Sequence, residues 1–353
     1  MKYLSALLIA VVLVLSSCTQ TPPDSTETLE AEFQQVPSCP VATTTPIYEI
    51  QGEGSATPIA GQQVTTQGVV VGDFQESNQL RGFFIQDLNG DRNKNTSDGL
   101  FVFTPSGFPV NVGDYVQVTG TAREFFDLTQ LDTVTGLETC ATGLSKRPSL
   151  LFLPVDETSR LESHEGMLVK FFQPLTVTET FNLGRFGEVS LSAFGRLYHP
   201  NNGNFLGESA TTNPLRRILL DDASNLQNPD PIPYFSNPDT AGTRRIGSKV
   251  SELTGVLSYG FNAYRLQPTG EVVFQNPSRP TAPENIRGNL KVASFNVLNY
   301  FTTLDSRGAD TPEEFERQQA KILEALAIIN ADIVSLIEIE NNGDEAVNAL
   351  VAA

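Results

Sequence analysis

The chain has 353 residues, with 41 acidic and 23 basic side chains and a formal net charge of −18. This charge excludes binding of nucleic acid through a general positive field, so contact with a polyanion needs a local site or a bound cation. The length allows two or three domains, and 27 Gly, 22 Pro and no Trp are typical of a turn-rich β protein.

The first 17 residues have the features of an export signal. A lysine precedes an apolar run from Leu4 to Leu15, which is too short to span a membrane comfortably. The run ends in "LSSC", which resembles the bacterial lipobox. That resemblance implies cleavage before Cys18, lipidation of its sulfur, and anchoring at the outer membrane or cell surface. The alternative is an ordinary signal peptide with a chance cysteine. Residues 18–40 then form a polar tether rich in Pro and Thr.

Two cysteines remain once Cys18 is assigned to lipid. An even pair in an exported protein predicts one disulfide, between Cys39 and Cys140. The alternative is two separate thiols.

Residues 41–280 contain short alternating apolar runs broken by turn residues, which predict strands. A repeat is visible, because "VNVGDYVQVTGTAREFFDLTQL" (110–131) shares its pattern with "RRIGSKVSELTGVLSYGFNAYRLQP" (244–268). The repeat predicts two β-barrels in tandem, over 41–150 and 151–280. The pattern resembles the OB-fold module that precedes the nuclease domain of large secreted bacterial nucleases.

Aromatic and basic side chains of these barrels are candidates for nucleic-acid contact, by base stacking and phosphate binding respectively. The alternative is that most of the aromatic side chains belong to the barrel cores. The candidates are Phe74, Phe125, Phe126, Tyr259, Phe261, Tyr264, Arg123, Arg244, Arg245 and Arg265.

An acidic segment, "DLNGDRNKNTSD", begins at Asp87. Asp87, Asn89 and Asp91 alternate as at the start of a calcium-binding loop. Arg92 stands where such a loop has Gly, and Asp98 stands where it has Glu. Two interpretations therefore stay open: a Ca²⁺ site, or an acidic turn between two strands of the first barrel.

A linker at 281–289 leads into a β-α-β pattern over 290–353. A buried strand is predicted over 290–299, and a second strand over 331–340. Thr311, Pro312 and Glu314 predict the start of the intervening helix, with Thr as N-cap and Glu closing a capping box.

Two polar side chains fall toward the C-terminal ends of these strands. Strict alternation places Asn296 on one face of the first strand and Glu338 on the face of Leu336 in the second. In neighbouring parallel strands both can reach one rim, where their oxygens suit Mg²⁺ or Mn²⁺. Such a cation can stabilise charge on a phosphate leaving oxygen. The alternative is a turn-capping Asn and a solvated Glu. The adjacent Glu340 and Asn341 are not assigned to the metal.

The segments "KVASFNVLNYF" and "EFERQQAKILEALAIINADIVSLIEIENNG" resemble the opening of the endonuclease/exonuclease/phosphatase superfamily, which has the DNase-I-like fold. More narrowly, they resemble its secreted bacterial nuclease branch. The resemblance implies that Asn296 lies in the active site and that Glu338 binds the metal. It implies metal-dependent hydrolysis of phosphodiester bonds in extracellular nucleic acid, DNA more than RNA. The superfamily also includes phosphatases, so a phosphatase is an alternative.

The family's catalytic histidines lie beyond the second motif, whereas His164 and His199 here fall in the β region and are expected to be structural or surface residues. A complete sandwich needs roughly 250 residues. We therefore expect a fragment of a longer protein, or a broken gene product, that is inactive alone. The rival is a non-catalytic surface module for nucleic acid or carbohydrate, with a vestigial C-terminal unit.

The predicted fold class is thus mostly β: tandem OB-like β-barrels followed by the first β-α-β unit of an incomplete DNase-I-like α/β sandwich.

Overall fold

The structure is a computed structural model, and it describes residues 35–353 except 42, 106, 203–208, 236–243, 279 and 281. The export signal and Cys18 lie outside the described residues. The chain divides into two compact units, Met1–Gln275 and Asn276–Ala353. Strands outnumber helices, so the fold is mostly β, as predicted. Within the described ranges, no helix combines the length and apolarity that a membrane crossing needs.

The first part of unit 1 is a closed five-stranded barrel with strand order β1-β2-β3-β5-β4. Its elements are α1 (Ile47–Gln51), β1 (Gln63–Phe74), β2 (Gly82–Gln86), β3 (Gly99–Phe103), β4 (Tyr115–Phe125) and β5 (Leu128–Ala141). β3 and β5 pair in parallel, and the other neighbours pair antiparallel. Alternate side chains fill the interior, among them Val70, Phe83, Leu100 and Val118, all fully buried. The period of two in the sequence thus produces the barrel core.

A disulfide joins Cys39 and Cys140, with 5.3 Å between their Cα atoms. It ties the chain ahead of α1 to the end of β5. Because the two residues are 101 positions apart, the bridge closes a loop that includes nearly the whole barrel.

The second part of unit 1 is a nine-stranded sheet in the order β14-β11-β8-β9-β10-β13-β12-β7-β6. Its strands are β6 (Ser149–Leu151), β7 (Leu168–Phe171), β8 (Leu175–Glu179), β9 (Val189–Ser192), β10 (Arg217–Leu220), β11 (Lys249–Val250), β12 (Leu253–Gly260), β13 (Ala263–Pro268) and β14 (Phe274–Gln275). Three four-residue helices intervene: α2 (Ser159–Glu162), α3 (Leu183–Phe186) and α4 (Thr212–Leu215).

This strand order has two ends, β14 and β6, and so differs from the closed second barrel expected over 151–280. Side chains from both ends, Leu151 and Phe274, belong to one buried apolar cluster. Because the described helices of this region are too short to cover nine strands, the sheet must curve around that cluster to bury it. The sequence repeat did not reveal the nine-stranded order, because strand order depends on pairing between residues distant in sequence.

The barrel and the sheet of unit 1 are packed against each other. Phe84 and Phe101, on the outer face of β2 and β3, are buried in a cluster with Val256 of β12. The backbones also meet closely: a Cβ on Gly99 would lie 2.2 Å from the carbonyl carbon of Gly166. Only glycine fits there, so the outer face of β2 and β3 is fixed against the sheet.

Unit 2 consists of β15 (Val292–Tyr300), α5 (Pro312–Ile329), β16 (Ile333–Ile339) and α6 (Glu345–Ala352). The two strands pair in parallel, as predicted from the β-α-β pattern. The capping box at the start of α5 is also confirmed, with Thr311 accepting from Glu314 N and the Glu314 side chain accepting from Thr311 N. An apolar cluster that includes Val297, Ile322 and Leu350 forms the core between sheet and helices.

Candidate functional site

The C-terminal ends of β15 and β16 bring Asn296 and Glu338 together. Asn296 is the register partner of Ile337, and Glu338 is the next residue along β16. The spacing of paired strands and the rise per residue put the two Cα atoms about 6 Å apart. The pair expected from the sequence is therefore adjacent at one end of the sheet.

The strict alternation assumed for β16 is wrong at Glu338. Glu338 has a φ of 63°, in the left-handed region that a side chain other than glycine rarely adopts. Leu336 and Ile339 both pack into the core, whereas Ile337 and Glu338 are both exposed. Continued alternation would have turned Glu338 toward the side of Leu336. The left-handed backbone instead leaves it on the uncovered side of the sheet, with Asn296.

β15 is irregular at the same level. Leu298 and Asn299 have φ values of 55° and 51°, and four steps of β15, from Asn296 to Tyr300, face two steps of β16. Asn296 Oδ1 accepts a hydrogen bond from Leu298 N at 2.8 Å, which closes a turn inside this bulge. This bond fixes the orientation of the amide, and its NH₂ can donate to a ligand. Bulges commonly aim side chains at functional sites.

Helix α5 supports the bulge from the covered side. Gln318 Nε2 donates to Val297 O at 3.2 Å and to Leu298 O at 2.7 Å. The next residue, Gln319, donates to the Tyr300 hydroxyl at 2.7 Å. Gln318 therefore supplies hydrogen bonds to two backbone carbonyls of the bulge that a neighbouring strand would otherwise have bonded. Neither residue was predicted from the sequence, where their signal was two amides within an otherwise amphipathic helix.

Glu340 connects the loops that follow the two strands. Its Oε2 accepts from Thr302 N at 2.8 Å, from Thr303 N at 3.0 Å and from Asn342 Nδ2 at 3.0 Å. Hydrogen bonds from Thr303 and Thr302 lower the pKa of Glu340, so it stays ionised. Glu340 thus fixes the rim beside Glu338.

The donor set at the rim fits a hard cation that keeps most of its water. Among the described residues, the exposed Glu338 carboxylate accepts no hydrogen bond, so both its oxygens are available. The described parts of the chain contain no group of three or more His, Cys, Asp or Glu side chains that could hold a metal. One carboxylate with water and phosphate is, however, a usual set for Mg²⁺, whereas Ca²⁺ takes more protein oxygens.

The acidic segment after β2 forms its own internal contacts. Asp87 Oδ1 accepts from Asn89 N at 3.0 Å and from Gly90 N at 2.9 Å. Asp91 Oδ2 accepts from the Thr96 hydroxyl at 2.8 Å. These are the contacts of an acidic turn. The Ca²⁺ interpretation stays a prediction, which a titration of the protein with Ca²⁺ would test.

The ammonium group of Lys146 lies beside this acidic segment. Lys146 Nζ donates to Asp87 O at 2.7 Å and to Leu88 O at 2.8 Å. Burial raises the pKa of Asp98 to about 6, with Asp87 and Asp91 adding to the effect and Lys146 opposing it. The Lys146 ammonium therefore neutralises part of the negative charge of this segment, a role that a bound Ca²⁺ could also fill.

Several barrel residues proposed for nucleic-acid contact have structural roles instead. Arg265 is buried and donates to Glu188 Oε1 at 2.6 Å and to Asp221 Oδ2 at 2.8 Å, so the prediction that it meets phosphate is wrong. Phe74 is buried where the barrel meets the sheet. Arg123 is paired with Asp132 at 3.0 Å.

His164 has the structural role expected from the sequence. It is buried, its Nδ1 lies 3.0 Å from Arg160 O, and burial lowers its pKa to about 4. A neutral, enclosed imidazole of this kind does not serve as an exposed general base.

Residues 158–278 match a family model described as a domain of unknown function (DUF8508). The matched stretch runs from just before α2 to just past β14, and so contains the nine-stranded sheet apart from β6. No curated protein matches the chain.

Proposed function

We propose that the intact protein hydrolyses phosphodiester bonds in extracellular nucleic acid, using Mg²⁺ or Mn²⁺ held by Glu338. The observation that carries this proposal is the left-handed backbone at Glu338 in β16, which leaves its exposed carboxylate on the uncovered side beside Asn296. A strained backbone at a non-glycine residue is more frequent at functional sites than elsewhere. The sequence resemblance to the endonuclease/exonuclease/phosphatase superfamily singles out the same two residues.

Each residue has a distinct task in this mechanism. Glu338 would hold the cation, which would supply charge stabilisation to a phosphate and its leaving oxygen. Asn296 donates its amide hydrogens to a non-bridging phosphate oxygen and orients the phosphate. Gln318 and Glu340 hold the bulge and the loops, so the two groups are positioned before the substrate arrives.

Features of unit 1 support its place in an exported nuclease. The strand order of the closed barrel supports the OB-like assignment of 41–150. The disulfide between Cys39 and Cys140 supports an oxidising compartment and hence export, while lipid at Cys18 depends on the lipobox resemblance alone. Unit 2, with its parallel strand pair covered by α5, supports the start of an α/β sandwich.

The rival, a module that binds nucleic acid through its barrel, has less support. In OB folds the outer face of strands 2 and 3 binds ligands. Here that face is buried against the sheet through Phe84 and Phe101. Nucleic acid would therefore have to be recognised elsewhere, and the rim of unit 2 is favoured.

The test is an assay on the protein translated from its full reading frame, with plasmid DNA, RNA and a phosphomonoester as separate substrates. We expect Mg²⁺-dependent cleavage of DNA that EDTA abolishes and that Glu338→Gln reduces by at least about a hundredfold. Glu324→Gln, at an exposed position of α5, is the matched control and should retain activity. Cleavage of only the phosphomonoester would indicate a phosphatase. Full DNA cleavage by Glu338→Gln would overturn the proposal.

A further inference from the structure

Unit 1 contains a cavity of about 510 Å³ between two β-hairpin tips, here called the hairpin pocket. This volume lies in the range of small-molecule sites. One tip is the β4–β5 turn and the other the β12–β13 turn. The side chains used below are those of Asp127, Glu162, Arg217, Tyr259, Asn262 and Tyr264.

Both tips hold a phenylalanine in an unfavourable backbone conformation. Phe126 and Asp127 form the two-residue turn between β4 and β5, with φ values of 50° and 61°. Phe261 and Asn262 form the turn between β12 and β13, with φ values of 51° and 59°. Such turns favour Asn-Gly, because a bulky side chain is strained at positive φ.

The two phenylalanines are also exposed to solvent. The exposed fraction is 76% for Phe126 and 90% for Phe261, and each is followed in sequence by a residue that lines the pocket. Phe126 packs edge to face on Phe125, and Phe261 lies over the Arg265 guanidinium, but these contacts leave most of each ring exposed at a strained position. An observed outlier of this kind is grounds for a functional hypothesis.

The pocket wall offers aromatic surface together with fixed polar groups. Tyr259 and Tyr264 pack edge to face, with 4.9 Å between ring centroids. The Tyr264 hydroxyl donates to Glu162 Oε2, which fixes both side chains. The remaining wall provides the acceptor Asp127 and the donors Arg217 and Asn262.

The charges in the pocket limit the class of ligand. Asp127 and Glu162 disfavour a polyanion such as nucleic acid. Arg217 disfavours a simple cation. A neutral ligand rich in hydroxyl groups suits the wall, since each hydroxyl both donates and accepts while its C–H face covers an aromatic ring. We propose that the hairpin pocket binds a neutral oligosaccharide, with Phe126 and Phe261 covering its apolar faces. This site is separate from the rim of Asn296 and Glu338 and does not depend on the proposed hydrolysis.

The experiment is a titration of the full chain, followed by calorimetry and by tyrosine fluorescence, which no tryptophan obscures. The probes are di- to tetrasaccharides of glucose, galactose, mannose and N-acetylglucosamine at millimolar concentration. Spermidine and a single-stranded oligonucleotide represent the other ligand classes. We expect saturable binding of at least one oligosaccharide. Neither spermidine nor the oligonucleotide should compete with that oligosaccharide for the pocket.

The Phe261→Gly variant separates binding from folding. Glycine relieves the strain at positive φ but removes the contact of the ring with Arg265, so this variant should melt near the temperature of the parent chain. Oligosaccharide binding should nevertheless weaken by at least about tenfold. Phe194→Gly is the matched control, because Phe194 is 77% exposed with a φ of 59° and belongs to neither hairpin tip.

Three results would overturn the proposal. One is the absence of binding across the whole oligosaccharide panel. Another is saturable binding of spermidine or the oligonucleotide that Glu162→Gln or Arg217→Gln removes. The third is equal oligosaccharide affinity in the Phe261→Gly and Phe194→Gly variants.

Discussion

Substitution of Gln318 by methionine tests whether α5 holds the bulge that presents Asn296. Methionine has a similar length and retains the contact with the core, but it cannot donate a hydrogen bond. The variant loses the bonds to Val297 O at 3.2 Å and to Leu298 O at 2.7 Å. Every other contact of α5, including its capping box, is retained.

The two lost bonds differ in their expected energies. Val297 is buried, so water cannot easily replace its partner, and a lost bond to such a carbonyl costs about 1 kcal/mol. Leu298 is 74% exposed, so its carbonyl can bind water and the second bond contributes little. The free energy of unfolding of unit 2 should therefore fall by about 1 to 2 kcal/mol.

Hydrogen exchange of the full chain measures this effect locally. Amides of β15 near the bulge should exchange roughly tenfold faster in Gln318→Met than in the parent chain. The affinity of the variant for Mn²⁺ should also be lower. Lys321→Met, at an exposed position of the same helix, should change neither quantity. Unchanged exchange in β15, or an equal change in the Lys321 variant, would refute the argument that Gln318 positions the bulge.

Three further predictions concern unit 1. Replacing Cys39 and Cys140 by serine should lower its free energy of unfolding by up to about 5 kcal/mol, as the 101-residue separation implies, and urea unfolding measures this. Arg265→Met should cost about 3 to 5 kcal/mol in the same assay, because it leaves two buried carboxylates unpaired; an equally stable variant would contradict the ion-pair assignment. Because burial raises the pKa of Asp98 from 3.8 to about 6, Asp98 binds more protons in the folded chain than in the unfolded chain between these values. The contribution of Asp98 to stability should therefore decline as pH rises through that window, and a pH series of melting temperatures should show that Asp98→Asn stabilises the chain more at pH 7 than at pH 4.

Local sequence signals predicted unit 2 well. Thr311, Pro312 and Glu314 determine the start of α5 through contacts within one turn, and the apolar period determines which face is buried. The parallel pairing of β15 and β16 then follows from the length of the connection. The adjacency of Asn296 and Glu338 needed nothing further.

The bulges could not be predicted in the same way. Leu298 and Glu338 adopt positive φ without being glycine, so composition gives no sign of the break in alternation. Their conformations depend on Gln318 and on the core, which are tertiary contacts. The nine-stranded sheet was missed for a similar reason, since pairs such as Leu219 with Arg265 join residues distant in sequence.

The central claim is that Glu338 holds a cation on the uncovered side of the sheet, directly beside the amide group of Asn296. Paramagnetic broadening of NMR resonances by Mn²⁺ tests this claim most directly. The side-chain amide resonance of Asn296 is assigned as the one that disappears in Asn296→Asp. In the full chain, substoichiometric Mn²⁺ should broaden the Asn296 amide resonance and leave that of Asn262 sharp, and Glu338→Gln should abolish the broadening. An Asn296 resonance that stays sharp, or that broadens equally in Glu338→Gln, would contradict the account.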